Sequence, residues 1–477
     1  MKKWYNIQIK RKKVDLRDFT QGSILKHLIL FSLPLMGTSM LQAVFGVVDA
    51  MWVGHLIGKD ALAAVSAAMP AIFFLVAILM GMGMATTILV GQSYGSKNYE
   101  FLAKVLSNSL MLSLFLAIVI AIFGISLSSW ILEITNTPLL IRPMAQSFMR
   151  VILSGLVFTL ITNWFSGVLN GVGDSKTPFR IMCLNIILNI ILAPVLITGK
   201  LYIPYTGIDI RLFNPLGVAG SALSTVIAAA VGTIIYYFSL RHLHLFQKAK
   251  FHFKFDFSMM KKIISLGWPA SLQMIIVSGS GLIIVSLANN FGADITAAYG
   301  VAFRTDQFGA TAIFSVGIAL TSIVAQNIGA KKFDRVKETL KYGLYFAISM
   351  GVFYAAIVNI FPVQIAKMYT KDPAVITAVT SYFRYAGISF VGFGMMFCYL
   401  GVVRGAGDTF GALVMVAINL ILVRTPVCYA LAEWTPLKEN GLWIGLTVGT
   451  FAGAFLYYLY YRSGRWKEKK KELLTCE

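Results

Sequence analysis

Asp49 is the residue that most demands a chemical account. It lies in FSLPLMGTSMLQAVFGVVDAMWVG (Phe31–Gly54), a stretch apolar enough to sit in a bilayer, in the half nearer Lys59. An acid at that depth costs at least ~2.5–3.5 kcal/mol on insertion scales. A chain that keeps one protonates it, pairs it, or lets an ion reach it. The same stretch carries Pro34, which removes a backbone donor and lets a helix bend. A bendable helix holding one titratable group has the parts of an ion-coupled switch. The competing reading is an Asp near the outer interface that meets only headgroups and water.

Other chemistries find little support. No HExxH, GxSxG or GxxxxGK[ST] string occurs, which argues against metallohydrolase, serine-hydrolase and P-loop ATPase readings. The cysteines Cys183, Cys398, Cys428 and Cys476 have no CxxC spacing, and three sit in apolar runs. They read as buried free thiols. The five histidines lie at or outside the ends of apolar runs. The expectation is a protein that is not an enzyme and has no metal or organic cofactor.

The elements that must position Asp49 are membrane helices. Apolar residues make up 57% of the 477-residue chain and charged residues 13%, against ~25% charged in soluble domains. The net charge of +21 is spread over short gaps between apolar runs and does not cluster on a soluble domain, so nucleic acid is not expected as a partner. About twelve runs are long enough to span, each needing ~20 residues. The first is not a cleaved signal peptide, because a Pro-interrupted span follows its basic tail without a small-residue cleavage site. With both termini inside, most of the Lys and Arg fall in inner segments. The outer loops hold only Lys59, Arg142, Lys200, Arg211, Lys367, Lys371 and Lys438. That bias predicts cytoplasmic termini in the cell's cytoplasmic membrane.

The chain is also a tandem repeat. GKDALAA (58–64) returns as GADITAA (292–298), and GMATTILVGQSYGSKNYE (83–100) returns as GIALTSIVAQNIGAKKFD (317–334). GVLNGVGD (167–174) returns as GVVRGAGD (401–408), Asn185 as Asn419, and Arg150 as Arg384, all at one offset of 234 residues. Six spans per half is an even number, so the halves are parallel, with a two-fold axis along the membrane normal. The expected fold is an all-α integral membrane protein with twelve transmembrane helices in two six-helix lobes. A basic tail (1–26) precedes the first lobe (27–240). A basic linker (241–262) joins it to the second (263–461), and a basic tail follows (462–477). Gly95 and Gly329 are expected at helix C-termini in a left-handed conformation, with Lys97 and Lys331 complementing the dipole. The GxGD strings read as tight turns, each with an Asp capping the next helix.

Function should break this symmetry. Asp49 maps to Ile283 or Ile284, so the second half has no matching acid. Asn189 maps to Val423 and is a candidate for the Asp49 neighbourhood. Asn185 maps to Asn419 and reads as an interhelical hydrogen bond or a polar group on a cavity wall. Arg304 and Asp306 map to Pro70 and Ile72. At i and i+2 they cannot face each other on a helix. Both are cavity candidates, as is Gln273, with structural ion pairing as the alternative. Twenty Met and 34 Phe supply adaptable apolar walls.

The LP-x14-DAMWVG string (Leu33–Gly54), the GQSYGSK/AQNIGAK pair and the GVLNGVGD/GVVRGAGD pair together resemble the multidrug and toxic compound extrusion (MATE) family over nearly the whole chain. The resemblance implies V-shaped two-lobed antiporters that exchange H+ or Na+ for amphipathic, cationic drugs, with small molecules and the bilayer as partners and a monomeric state. It places Asp49 on the family's coupling aspartate and Pro34 on its bending proline, with Asn189 and Thr225 on two further polar positions. Ala193 departs from the family where many members carry an Asp, and Val277 and Phe393 depart where the sodium-linked branch carries acids. One acid and few oxygens suit H+ better than Na+. A flippase for lipid-linked sugars is the alternative; it should show several cations in its cavity. Restoring the missing acid with Ala193→Asp is expected to introduce or strengthen Na+ dependence of transport in proteoliposomes. No gain of Na+ response would contradict the assignment of this position.

Overall fold

The computed structural model describes residues 17–203, 208–241 and 255–467. Most of the basic tails and of the basic linker expected from sequence therefore lies outside the described residues. The first half comprises α1 (Ile24–Leu56), α2 (Lys59–Gly95), α3 (Tyr99–Ser126), a short α4 (Ser128–Ile134), α5 (Arg142–Ser154), α6 (Leu156–Gly171), α7 (Lys176–Thr198) and α8 (Val218–Arg241). The second half repeats this order with α9 (Phe257–Asn289), α10 (Ala293–Gly329), α11 (Phe333–Ile360), a short α12 (Pro362–Lys367), α13 (Pro373–Ala386) and α14 (Ser389–Gly405). It ends with α15 (Thr409–Ala417), a π-helical stretch (Ile418–Arg424), α16 (Thr425–Glu433) and α17 (Glu439–Ser463). Among the described residues ten helices are long and apolar enough to cross a membrane. The pairs α5–α6 and α13–α14 supply two more spans, each bent by 49°. Two six-span lobes result.

Local sequence explains the helix ends. Ser23, Asn98, Asp256, Asp372 and Asp408 each accept a backbone N–H in the first turn that follows. Gly173 and Gly407 take φ of 85° and 92° in the GxGD turns, which glycine tolerates. Asp174 then caps α7 by accepting from the N–H groups of Lys176 and Thr177. One feature is absent from the sequence expectation. Between α7 and α8 the chain forms a hairpin, β1 (Lys200–Ile203) antiparallel to β2 (Ile208–Arg211), with Lys200 opposite Arg211.

The glycines of the GQSYG and AQNIG strings do not cap in the expected way. The left-handed positions are Lys97 (φ 58°) and Lys331 (φ 61°). Gly95 and Gly329 are instead needed for close approach. A Cβ on Gly95 would strike the Gln326 carbonyl, and one on Gly329 would strike the Gln92 carbonyl. Two spans from opposite lobes thus cross backbone to backbone. Gln92 Nε2 donates to the Gly405 carbonyl at 3.1 Å, and Gln326 Nε2 to the Gly171 carbonyl at 2.9 Å. The four residues obey the sequence repeat, so the contact lies on the pseudo-two-fold axis.

The two ends of the molecule differ. At the end carrying the linker, Gly81 and Gly267 meet across the lobes, and Ser271 Oγ donates to the Ile78 carbonyl at 2.7 Å. The arm before α1 lies on this seam, with Phe19 fully buried and its N–H donating to Gln326 Oε1 at 2.9 Å. At the end carrying the hairpin, Gly46, Gly279, Gly281 and Gly300 have nothing within 4 Å of an added Cβ. Met40, Val44, Val47 and Met51 of α1 are exposed there. The lobes are therefore closed at the linker end and splayed at the hairpin end, which makes a V-shaped cleft lined by the outer halves of α1, α2, α9 and α10. Gly95→Ala or Gly329→Ala is expected to lower Tm through a backbone clash of about 1–3 kcal/mol. Gly46→Ala, in open space, should leave Tm unchanged or raise it. Equal thermal unfolding of all three would remove the close crossing.

Candidate functional site

Asp49 is buried, and α8 explains why. Ser221 Oγ donates to Asp49 Oδ1 at 2.6 Å. Three residues on, Ser224 Oγ accepts from Asn189 Nδ2 at 2.9 Å, and Thr225 Oγ1 accepts from the same nitrogen at 3.3 Å. Ser221, Ser224 and Thr225 stand at i, i+3 and i+4, so one face of α8 binds α1 through Asp49 and α7 through Asn189. Asp49, Asn189 and Thr225 therefore share one polar patch inside the first lobe. Asn189 is fully buried and its Oδ1 has no hydrogen-bond partner. Ala193, one turn further along α7, is also fully buried and brings no oxygen. No group of three or more His, Cys, Asp or Glu able to hold a metal occurs among the described residues.

Sequence reasoning missed Ser221 and Ser224. In GSALST they look like small packing residues of a membrane helix, and only their spacing from Thr225 could have marked them.

Pro34 lies within an unbroken α1, and Thr38 Oγ1 donates to its carbonyl at 2.9 Å. Its position is informative. Leu28, Phe31, Leu35 and Met36 pack into the core of the second lobe, together with Val316, Leu320 and Tyr399. Asp49, further along the same helix, is bound to the first lobe. Pro34 stands in the segment packed on the second lobe, just before α1 passes to the first. Ser39 Oγ meets Ser315 Oγ of α10 at 3.2 Å beyond it.

The remaining candidates occupy different surroundings. Asn185 packs against Gly232, and its repeat mate Asn419 against Gly453. Gln273 is buried in the second lobe, where its Nε2 donates to the Thr409 carbonyl at 3.1 Å and its Oε1 accepts from the Arg404 guanidinium. It does not line the cleft. Arg304 and Asp306 point apart, as i and i+2 residues must. Asp306 turns inward, accepting from Tyr354 Oη at 2.6 Å and Tyr382 Oη at 2.5 Å. Tyr299 stacks on Trp443 beside it, with ring centroids 6.0 Å apart. Arg304 is exposed and makes no hydrogen bond or ion pair among the described residues.

The class of molecule is thus a polytopic α-helical membrane protein of two repeated lobes around a one-sided cleft, with Asp49 buried in the first lobe and Asp306 turned into the second. The family profile described as MatE matches residues 34–195 and again 269–430. "Probable multidrug resistance protein YoeA" of Bacillus subtilis is 30% identical over 455 residues, covering 94% of this chain and 96% of that protein. "Probable multidrug resistance protein NorM" of Thermotoga maritima is 26% identical over 455 residues, covering 95% of each. A crystal structure of MATE in the straight conformation superposes with a TM-score of 0.85 at 23% identity, covering 95% of this chain and 98% of that one. The chain belongs to the MatE family, whose members are membrane transporters and not enzymes. The double match bears out the tandem repeat read from sequence.

A hydrogen bond to a carboxylate contributes about 1.5–3 kcal/mol. Ser221→Ala is expected to slow uphill transport several-fold and to lower Tm in wild type, and to leave Tm unchanged in an Asp49→Ala background. A further loss of Tm in that background would show that Ser221 acts elsewhere than on Asp49.

Proposed function

We propose that the protein is a secondary antiporter of the cytoplasmic membrane that exports amphipathic compounds in exchange for protons by alternating access, acting as a monomer. The observation that carries this reading is the placement of Asp49. It sits beside neutral oxygens only, on the helix that both lobes share. The Lys and Arg bias of the loops puts the linker end and both termini in the cytoplasm. The V then opens outward, which is the state in which a proton would load and a compound leave.

The coupling follows from α1. An ionised Asp49 accepts strongly from Ser221 and holds the outer half of α1 against α8 and α7. Protonation weakens that acceptor and releases the outer half. Pro34 lacks the N–H that would tie it to the Leu30 carbonyl, so the bend costs least there. The inner part of α1 stays in the core of the second lobe, and motion of the outer half changes the cleft wall at Ser39. A ligand that prefers one arrangement shifts the equilibrium between the two. Similar solved structures are described as MATE in the straight conformation and MATE in the bent conformation, which supports a two-state reading of this chain. The donor set favours H+. Na+ would exchange its water shell for one carboxylate and a few neutral oxygens, with Ala193 offering none, whereas a proton needs only the carboxylate.

The test is uptake of fluorescent amphiphiles, one cationic and one anionic, into proteoliposomes under a pH gradient alone and then a Na+ gradient alone. The pH gradient is expected to drive transport in Na+-free buffer, and Asp49→Asn to abolish it while the protein stays folded. Strict Na+ dependence, or uphill pumping by Asp49→Asn at the wild-type rate, would overturn the reading. Pro34→Ala is expected to slow turnover while binding stays intact, and unchanged turnover would remove the hinge.

A further inference from the structure

We infer that the cleft holds its cargo by an anionic group on Arg304, so that the transported compounds are amphipathic organic monoanions. This rests on the reading of the cleft as the cargo site. It departs from the cationic cargo that the family resemblance implies.

The direction of Arg304 follows from helix geometry. Residues eleven apart on an α-helix lie on nearly the same face, about 16 Å apart along the axis. Ser315 of α10 touches Ser39 of α1 across the lobes. Arg304, eleven residues toward the hairpin end, points the same way at a level where the lobes have separated. Its neighbours on this face agree. Gly300, one turn outward, has open space where a Cβ would be. Phe308, one turn inward, is 51% exposed. The opposite face of the helix carries Tyr299, Ala302 and Asp306, which pack into the second lobe. Arg304 therefore stands on the cleft wall and has no partner among the described residues.

The negative charges that a cationic cargo would need are turned away. Beyond their first turns, the four cleft helices hold two acids, Asp49 and Asp306. Asp49 is 5% exposed and bound to Ser221. Asp306 has both oxygens on tyrosine hydroxyls within the second lobe. Asp60 and Asp294 lie in the first turns of α2 and α10, at the mouth. In the outer halves of the four cleft helices, below the mouth, Arg304 is the one charged side chain exposed among the described residues. A guanidinium matches a carboxylate or sulfonate with paired N–H donors, and it repels a cation held at the same wall. Phe308 and the exposed Met40, Val44 and Val47 of α1 offer the apolar surface for the remainder of an amphiphile. A single arginine matches one negative charge, whereas a pyrophosphate calls for several cations.

The charge balance gives a second signature. One proton moving in against one monoanion moving out transfers two charges per cycle, so an interior-negative potential accelerates export. One proton exchanged for one monocation transfers none.

The experiment uses two probes with the same dansyl group and chain, a dansyl decanoate and a dansyl decyltrimethylammonium, titrated against purified protein in lipid nanodiscs without any gradient. The anion is expected to bind about tenfold tighter than the cation. Arg304→Gln should abolish the preference, Arg304→Glu should reverse it, and Arg304→Lys should retain part of it. Asp49→Asn should keep it, because the preference does not depend on coupling. In proteoliposomes an interior-negative potential should speed export of the anion. Equal binding of the two probes by wild type, or an unchanged ratio in a folded Arg304→Gln, would overturn the inference. Tighter binding of farnesyl pyrophosphate than of the decanoate would overturn the monoanion class in favour of a lipid pyrophosphate. Loss of pH-driven transport with the anion preference intact would instead count against proton coupling.

Discussion

Two helices from opposite lobes touch backbone to backbone at one end of this molecule, and the rest of the architecture follows from that contact. Gly95 and Gly329 allow α2 and α10 to cross without a side chain between them. Gln92 and Gln326 then satisfy carbonyls at the ends of α14 and α6 in the other lobe. Buried glutamine and carbonyl groups are costly to leave unpaired, so the crossing is stable only when both lobes meet. Long helices packed tightly at one end diverge at the other. The cleft at the hairpin end is the geometric consequence, and opening the crossing would close it.

A symmetric machine of this kind has no preferred ion or cargo until its symmetry is broken. The breaks are few, and each has a physical role in the account. Asp49 has no counterpart in the second lobe, where Ile283 and Ile284 stand. Arg304 and Asp306 replace Pro70 and Ile72, adding one charge to the cleft wall and one to the lobe interior. The arm before α1 covers the seam with Phe19, and Arg335 donates to its carbonyl at 3.0 Å. The π-helical stretch Ile418–Arg424 interrupts a span whose repeat mate α7 is regular, and it directs Arg424 Nη2 to Ser280 Oγ at 2.5 Å. π-Helical turns often mark functional sites. Helix α1 draws the breaks together, because its start belongs to the core of one lobe and its acid to the other.

Much of this was legible in the sequence, for physical reasons. Apolar runs of span length, the constant repeat offset and the loop charge bias are one-dimensional signals, and they carried the twelve spans and two lobes. Asp49 stood out because an acid in an apolar run has a cost that must be offset. What escaped depends on which faces meet. Gly95 and Gly329 suit caps in sequence, because a glycine near a helix end looks the same whether it turns the chain or admits another helix. Ser221 was invisible because a serine among alanines and glycines carries no signature of the acid it serves. Gln273 looks like a cavity residue in sequence, yet it bridges Arg404 and the Thr409 carbonyl, and no residue-by-residue reading distinguishes those environments. The hairpin between α7 and α8 is too short to show the alternation of a strand.

The central claim is that protonation at Asp49, transmitted along α1, governs whether the Gln92–Gln326 crossing is closed. It is tested most directly by spin-label distance measurements in nanodiscs, with one label pair across the lobes at the linker end and another at the hairpin end. The account predicts that moving from alkaline to acid pH changes the two distance distributions in opposite senses, and that Asp49→Asn fixes both at one pH-independent distribution. Distances that shift with pH in Asp49→Asn as they do in wild type would contradict it.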